Sequence, residues 1–235
     1  MNNRLEIEAI GLNKSFGGKK VLDGLDLSIE RGQMVGLIGP NGAGKTTLFR
    51  ILLELIEADG GSIGRRTDID RIGYMTQAEA LYAGLTVKEN VTFFGRLFGL
   101  HGKRLEQAVE QAIELVALQE RGDSLVAHLS GGMRRRTALA TAVVHSPDLM
   151  LLDEPTVGID PELRANFWEQ FRQWASEGTT IVVSTHNLDE AIRCSALGLM
   201  KAGKLIAKGS PEELMMSTNT TSIEQAFLAF SRGDK

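Results

Sequence analysis

Apolar residues recur at every second position near the start of the chain: Leu5, Ile7 and Ala9, then Leu25, Leu27 and Ile29 after Asp23-Gly24. That period predicts short half-buried strands over residues 4–32, with a turn at Asp23-Gly24. Met34-Val35-Gly36-Leu37-Ile38 is a continuous apolar run of a length that suits a buried strand. From Thr47 to Glu57 the period lengthens, and Leu48, Ile51, Leu52, Leu55 and Ile56 predict a helix. Asp59-Gly60-Gly61 reads as a second turn and Ile72 to Met75 as another strand. From Thr86 to about Val144 the pattern is helical. Thr86 with Glu89 forms a capping box, and Leu105, Val109, Ala112, Ile113 and Val116 give a second helix its apolar stripe. Strand-like runs return at Leu149 to Leu152 and Thr180 to Ser184, followed by helices that begin near Pro161 and Asn187. A last helical stretch carries Ile223, Ala226, Phe227 and Phe230.

This alternation predicts an α/β fold with a parallel sheet flanked by helices. A small antiparallel β layer precedes the core. The helical stretch of roughly 60 residues exceeds any ordinary connecting loop and reads as an insertion. The expected organisation is one domain over residues 1–235, with the β layer and core in about 1–77 and 145–235 and the helical subdomain in 78–144.

Composition narrows the function. The 235 residues are 43% hydrophobic and carry a net charge of −4, which argues against nucleic acid as the main partner. One cysteine, Cys194, excludes an intramolecular disulfide and suits a reducing compartment; it reads as a semi-buried helix residue. Nothing resembles a signal region or a run of 18 apolar residues, so membrane contact is expected only through a partner.

Gly39-Pro40-Asn41-Gly42-Ala43-Gly44-Lys45-Thr46 fits G-x-x-x-x-G-K-[ST], between the apolar strand and the helix. Strand, glycine loop and helix are the context a phosphate-binding loop needs. Glycines let backbone N–H groups turn inward around an anion, and the helix start adds partial positive charge. Lys45 is expected on the β- and γ-phosphates, Thr46 on Mg²⁺ and Thr47 on the α-phosphate. The motif implies ATP or GTP.

The run Leu149 to Leu152 ends in Asp153-Glu154, which places two carboxylates at the C-terminal edge of a parallel sheet, where α/β ligands bind. Asp153 is the expected Mg²⁺ holder and Glu154 the general base for the attacking water. Gln77 and His186 each follow a strand onto the same kind of edge. Gln77 is expected to sense Mg²⁺ and water, and His186 to hydrogen-bond the γ-phosphate.

Leu129-Ser130-Gly131-Gly132-Met133 opens a second helix with an N-cap serine and two glycines, a second anion-binding start without a lysine. Such a site makes sense where it completes the active site of a partner. At this point the chain resembles the ATP-binding subunit of an ABC transporter over about residues 4–214. Asp153 follows Ser130 by 23 residues, as the family pattern expects. The resemblance identifies Phe16 as the aromatic stacked on adenine, Gly39 to Thr46 as Walker A, Gln77 as the Q-loop, Ser130-Gly131-Gly132 as the signature, Asp153-Glu154 as Walker B, Gly158-Ile159-Asp160 as the D-loop and His186 as the switch histidine. It implies a RecA-like P-loop core and Mg-ATP hydrolysis. Two nucleotides are sandwiched head-to-tail with a second ATP-binding subunit, either another copy or a paralogue.

Met133 stands where many family members have Gln, and Arg134-Arg135-Arg136 follow. That resembles the exporter branch called type 2, which pairs with permeases for drugs, lipids or polysaccharides; as a bare sequence feature, an arginine run is also the pattern of a solvated helix face. Ile159 replaces a common Leu, and Phe16 a common Tyr. The resemblance implies a transmembrane permease partner and a peripheral location on the cytoplasmic face of the plasma membrane. The expected docking surface lies in Ala78 to Leu100, with Tyr82, Leu85, Phe93, Phe94, Leu97 and Phe98, about half of them in the core. A soluble ABC ATPase, for example in iron–sulfur assembly, is the alternative.

Overall fold

The computed structural model describes residues 4–78 and 80–233. In chain order the strands and helices begin with β1 (Leu5–Phe16), β2 (Lys19–Glu30), β3 (Met34–Ile38), α1 (Lys45–Leu52), β4 (Gly60–Arg65) and β5 (Ile72–Met75). The helical stretch holds α2 (Val87–Leu97), α3 (Gly102–Leu115) and α4 (Gly131–Val143). There follow β6 (Leu149–Asp153), α5 (Pro161–Ser176), β7 (Thr180–Thr185), α6 (Leu188–Ala191), β8 (Ala196–Lys201), β9 (Lys204–Gly209), α7 (Pro211–Ser217) and α8 (Ile223–Arg232). The chain forms two compact units, one of Met1–Asp68 with Gln170–Lys235 and one of Ile69–Glu169.

In the first unit β1 pairs antiparallel with β2 on one side and β4 on the other. These strands are longer than the alternation suggested, at 12 residues each for β1 and β2. The turn lies at Gly17-Gly18, not at Asp23-Gly24. Both glycines have positive φ, 55° and 79°, the backbone that a two-residue hairpin with native twist requires. Asp23 and Gly24 sit inside β2. The second turn expectation also shifts, since Gly60 and Gly61 begin β4. Asp59 just before them is fixed by Lys14 Nζ at 2.8 Å and the Ser15 N–H at 2.6 Å.

The other sheet of this unit runs β7-β3-β8-β9. β3 is parallel to both β7 and β8, and β8 is antiparallel to β9. Every residue of β3 and β7 is buried, which explains why β3 and the Ile181–Val183 centre of β7 are continuous apolar runs rather than alternating ones. Helix α1 stops at Leu52, short of the predicted Glu57. Glu54 takes φ 58°, and the N–H groups of Glu54 and Leu55 return to the carbonyls of Ile51 and Arg50. This Schellman closure ends the helix although the apolar period continues. Arg65 donates to the Glu54 carboxylate at 2.6 Å. α6 has only four residues. Cys194 lies just past it and is buried, not on a helix.

In the second unit β5 and β6 are parallel, and α2, α3 and α4 pack on one another. The capping box is present: Thr86 Oγ1 accepts from the Glu89 N–H, and the Glu89 carboxylate accepts from the Thr86 N–H. The stripe Leu105, Val109, Ala112, Ile113 and Val116 is buried. α4 lies so close to β5 that a Cβ on Gly73 would stand 2.3 Å from the Ala142 carbonyl oxygen. Asn90 is buried on α2. Its amide donates to the carbonyls of Tyr82 and Thr86, and its oxygen accepts from the Tyr82 N–H, strapping the segment before α2 to the helix.

Candidate nucleotide-binding site

The glycine loop leaves β3 at its C-terminal end and is wedged on two sides. A Cβ on Gly39 would lie 2.2 Å from the Met200 carbonyl oxygen, and one on Gly44 2.9 Å from that of Val21. The Gly203 N–H donates to the Ala43 carbonyl at 3.1 Å. β2 and the β8–β9 turn therefore fix the loop, and only glycine fits at its two ends. Gly42 and Gly44 have φ of 81° and 105°, and Pro40, Asn41 and Gly42 are exposed. Gly44 caps α1 without a side-chain acceptor, and the first turn holds no acidic residue. The α1 amides and dipole are thus open to an anion, with no first-turn carboxylate to compete for them. Lys45 is buried and its Nζ donates to the carbonyls of Gly39 at 2.6 Å and Pro40 at 3.3 Å. Thr46 and Thr47 follow, half-buried.

Strand register brings the remaining candidates to edges in pairs. Ile38 is level with Thr185 in the β3–β7 pair, so His186 leaves its strand beside the start of the glycine loop. His186 is exposed. In the second unit Met75 is level with Leu152, so Gln77 and Glu154 each lie two residues past a matched pair. Asp153 and Glu154 are buried and Gln77 is exposed.

Ser130 caps α4. Its Oγ accepts from the Met133 N–H at 3.2 Å, which leaves its own O–H proton for an anion. Gly131 is exposed and Gly132 half-buried. Asp160 caps α5, its carboxylate accepting from the Leu163 N–H at 2.9 Å. Phe16 ends β1 half exposed, with Lys14 Nζ 5.5 Å from its ring centroid. Asp59, which anchors Lys14, has its carboxyl held below the ordinary range, chiefly by the hydrogen bond from Lys14 and then by the Ser15 amide.

The arginine run is not a solvated face. Arg134 donates to the Leu129 carbonyl at 2.8 Å, and Arg136 to those of Val116 and Ala117 at 3.0 Å each. Arg135 is buried and reaches the carbonyls of Gln77, Asp153 and Glu154. Sequence reasoning missed Arg135. Its one signal was position: on a helix whose neighbours Thr137 to Val143 are small or apolar, an arginine facing inward needs acceptors.

Between Ala78 and Leu100 none of the six apolar candidates is fully buried. Tyr82, Phe93 and Leu97 are 50%, 39% and 66% exposed, and Leu85, Phe94 and Phe98 are half-buried. The core side of α2 is instead Val87, Asn90, Val91 and Gly95. The rings of Tyr82 and Phe93 meet edge-on at 4.8 Å, and those of Phe93 and Phe94 at 5.4 Å.

The ABC transporter sequence profile matches residues 22–157. The Nod factor export ATP-binding protein I of Rhizobium sp. (strain N33) is 39% identical over 223 residues, 91% of this chain and 73% of that protein. The protein of the same name from Paraburkholderia xenovorans (strain LB400) is 40% identical over 221 residues, 90% and 73% of the two chains. The chain belongs to the ABC transporter family. It is the ATP-binding subunit of an ABC transporter, an ATPase. The structure of an ATP-binding subunit of an ABC transporter superposes with a TM-score of 0.88 at 26% identity, over 96% of this ABC ATPase and 99% of that chain. The dimeric cassette MJ0796, in a post-hydrolysis state bound to ADP and Pi, shares the fold with a TM-score of 0.80 at 23% identity, over 87% and 98%. No helix among the described residues of this ABC ATPase is long and apolar enough to cross a membrane.

Proposed function

We propose that this ABC ATPase closes on Mg-ATP with a second ATP-binding subunit, another copy or a paralogue, and so drives export through a separate permease. The observation that carries this reading is the presence of two helix starts built for anions, of which only one has a lysine. α1 has the glycine nest and Lys45. α4 has Ser130 with a free O–H, Gly131 and Gly132, and neither lysine nor carboxylate in its first turn. A second anion site without chemistry is useful when it grips the γ-phosphate of a nucleotide held by a partner.

In this reading the amides of Gly39 to Gly44 hold the phosphates, Lys45 gives up its carbonyl contacts for the β- and γ-phosphates, and Phe16 stacks on adenine. Thr46 and Asp153 offer hard oxygen donors, with Gln77 nearby in sequence to β5. Among the described residues no three acidic, histidine or cysteine groups cluster for a metal. Thr46 and Asp153 are donors of the kind Mg²⁺ takes, with water and phosphate oxygens filling most of its shell. When bound, the ion would neutralise charge developing on the phosphates. Glu154 takes the proton of the attacking water, His186 steadies the γ-phosphate, and Asp160 belongs to the interface turn. ATP favours the closed pair over the open one, and hydrolysis removes that preference.

The relatives named for Nod factor export support export. Tyr82, Phe93 and Leu97 form the exposed apolar cluster that suits a permease helix, which would hold the subunit at the cytoplasmic membrane face. The helical subdomain over 78–144 carries both this cluster and the signature. Affinity purification from detergent-solubilised membranes tests the reading. A hydrophobic permease should co-purify, and Phe93→Glu should release it. A tight soluble complex without any membrane protein would overturn the transport role.

A further inference from the structure

Glu154 sits in the left-handed region with φ 55°. An L-residue with a long side chain takes that conformation only where its surroundings impose it. Its carbonyl is held by the Arg135 guanidinium, through Nε at 3.1 Å and through Nη2. The same Nη2 donates to the Asp153 carbonyl at 2.7 Å, and Nη1 donates to the Gln77 carbonyl at 2.6 Å. Three backbone oxygens from two loops thus converge on one buried cation. A guanidinium satisfies this with its rigid fork of donors; a lysine ammonium is a compact point donor.

We propose that Arg135 is a positioning residue for hydrolysis: it sets the backbone of Glu154, and ties it to the Gln77 loop, from the helix that begins at Ser130. The proposal rests on the reading of Glu154 as general base. Arg135 touches neither nucleotide nor water in this role. It acts by holding the peptide that aims the Glu154 carboxylate. Since Arg135 is five residues from Ser130 on α4, any shift of the signature helix moves the carbonyl clamp with it.

The test is steady-state Mg-ATP turnover of the full chain with Arg135→Lys and Arg135→Gln, alone and in the Glu154→Gln background, with ATP binding and melting measured in parallel. Arg135→Lys should lower kcat by about tenfold or more while KM for ATP moves by less than about threefold. In the Glu154→Gln background the same change should alter the residual rate by less than about twofold, because the group it positions is already disabled. Arg135→Gln should lose at least as much kcat; if it does not fold, Arg135→Lys decides. Full kcat in a folded Arg135→Lys protein overturns the proposal, and so does an effect that multiplies with Glu154→Gln. An active wild type with equally active Arg135 variants removes this role alone. Glu154→Gln hydrolysing at the wild-type rate removes the general-base reading beneath it.

Discussion

Gly132, in the first turn of α4, faces the carbonyl oxygen of Gly158 so closely that a Cβ built on it would stand 2.8 Å from that oxygen. The signature turn and the turn ahead of Asp160 therefore touch through backbone, within one unit. In an ordinary helix, alanine in place of glycine stabilises by about 0.5–1 kcal/mol. Here Gly132→Ala forces one of the two turns to move. The expected outcome is a loss of ATPase rate of about tenfold or more with a melting temperature close to wild type. Phosphate-release assays and thermal melts check it. Unchanged turnover would show that neither turn needs its present place.

Lys45 Nζ donates inside the glycine loop to the carbonyls of Gly39 and Pro40. Phosphate oxygens offer it charge-assisted bonds worth about 1.5–3 kcal/mol each. Lys45→Ala should therefore weaken nucleotide binding by about tenfold to a hundredfold and abolish turnover. Titration with a fluorescent ATP analogue measures the first effect and phosphate release the second. A variant that hydrolyses at the wild-type rate would contradict the assignment of this loop.

Glu154→Gln keeps the size and the left-handed backbone of its position while removing the proton acceptor. ATP should then stay bound, and the ATP-closed pair should persist. Size-exclusion chromatography with ATP should show a dimer, absent with ADP. A monomer that turns over normally would remove Glu154 as the base.

Much of this was legible from residue order, because local rules and the fold agree at those places. The glycine loop, the capping box at Thr86 and Glu89, and the strand ending in Asp153-Glu154 each couple a pattern to one backbone geometry. The misplaced features are those where a local signal was ambiguous between two geometries. Asp23-Gly24 reads as a turn, yet lies within β2, because Gly17-Gly18 already supplies the hairpin geometry. The end of α1 was overrun because Leu55 and Ile56 continue the period after the chain has turned at Glu54. Arg135 left only the signal of its position on a small and apolar helix, for another reason: its acceptors at Gln77, Asp153 and Glu154 are backbone oxygens far away in sequence, and carbonyls leave no mark on residue type. The exposure of Tyr82, Phe93 and Leu97 agrees with the expected docking surface, but Leu85, Phe94 and Phe98 are half-buried and not core, since i, i+4 spacing describes a helix face without saying how fully it is covered.

His145 is buried two residues past the end of α4, its ring stacked on Phe98 with centroids 3.8 Å apart. Burial pulls its pKa down to about 4, and the charge of Arg71 acts in the same direction; the Ile72 backbone and Asp70 pull the other way. The unfolded chain, with an ordinary histidine near 6.5, therefore binds the proton first as pH falls. Between about pH 6.5 and pH 4 each step downward favours the unfolded state at this residue. Above 6.5 the ring is neutral in both states and contributes no slope; below 4 it is protonated in both and the loss is complete. His145→Phe keeps an aromatic face against Phe98 and removes the titration. Chemical denaturation at pH 7 and pH 5 should show the wild type losing stability over that interval and the variant losing less. Equal losses in the two proteins would mean that His145 is not excluded from water in solution.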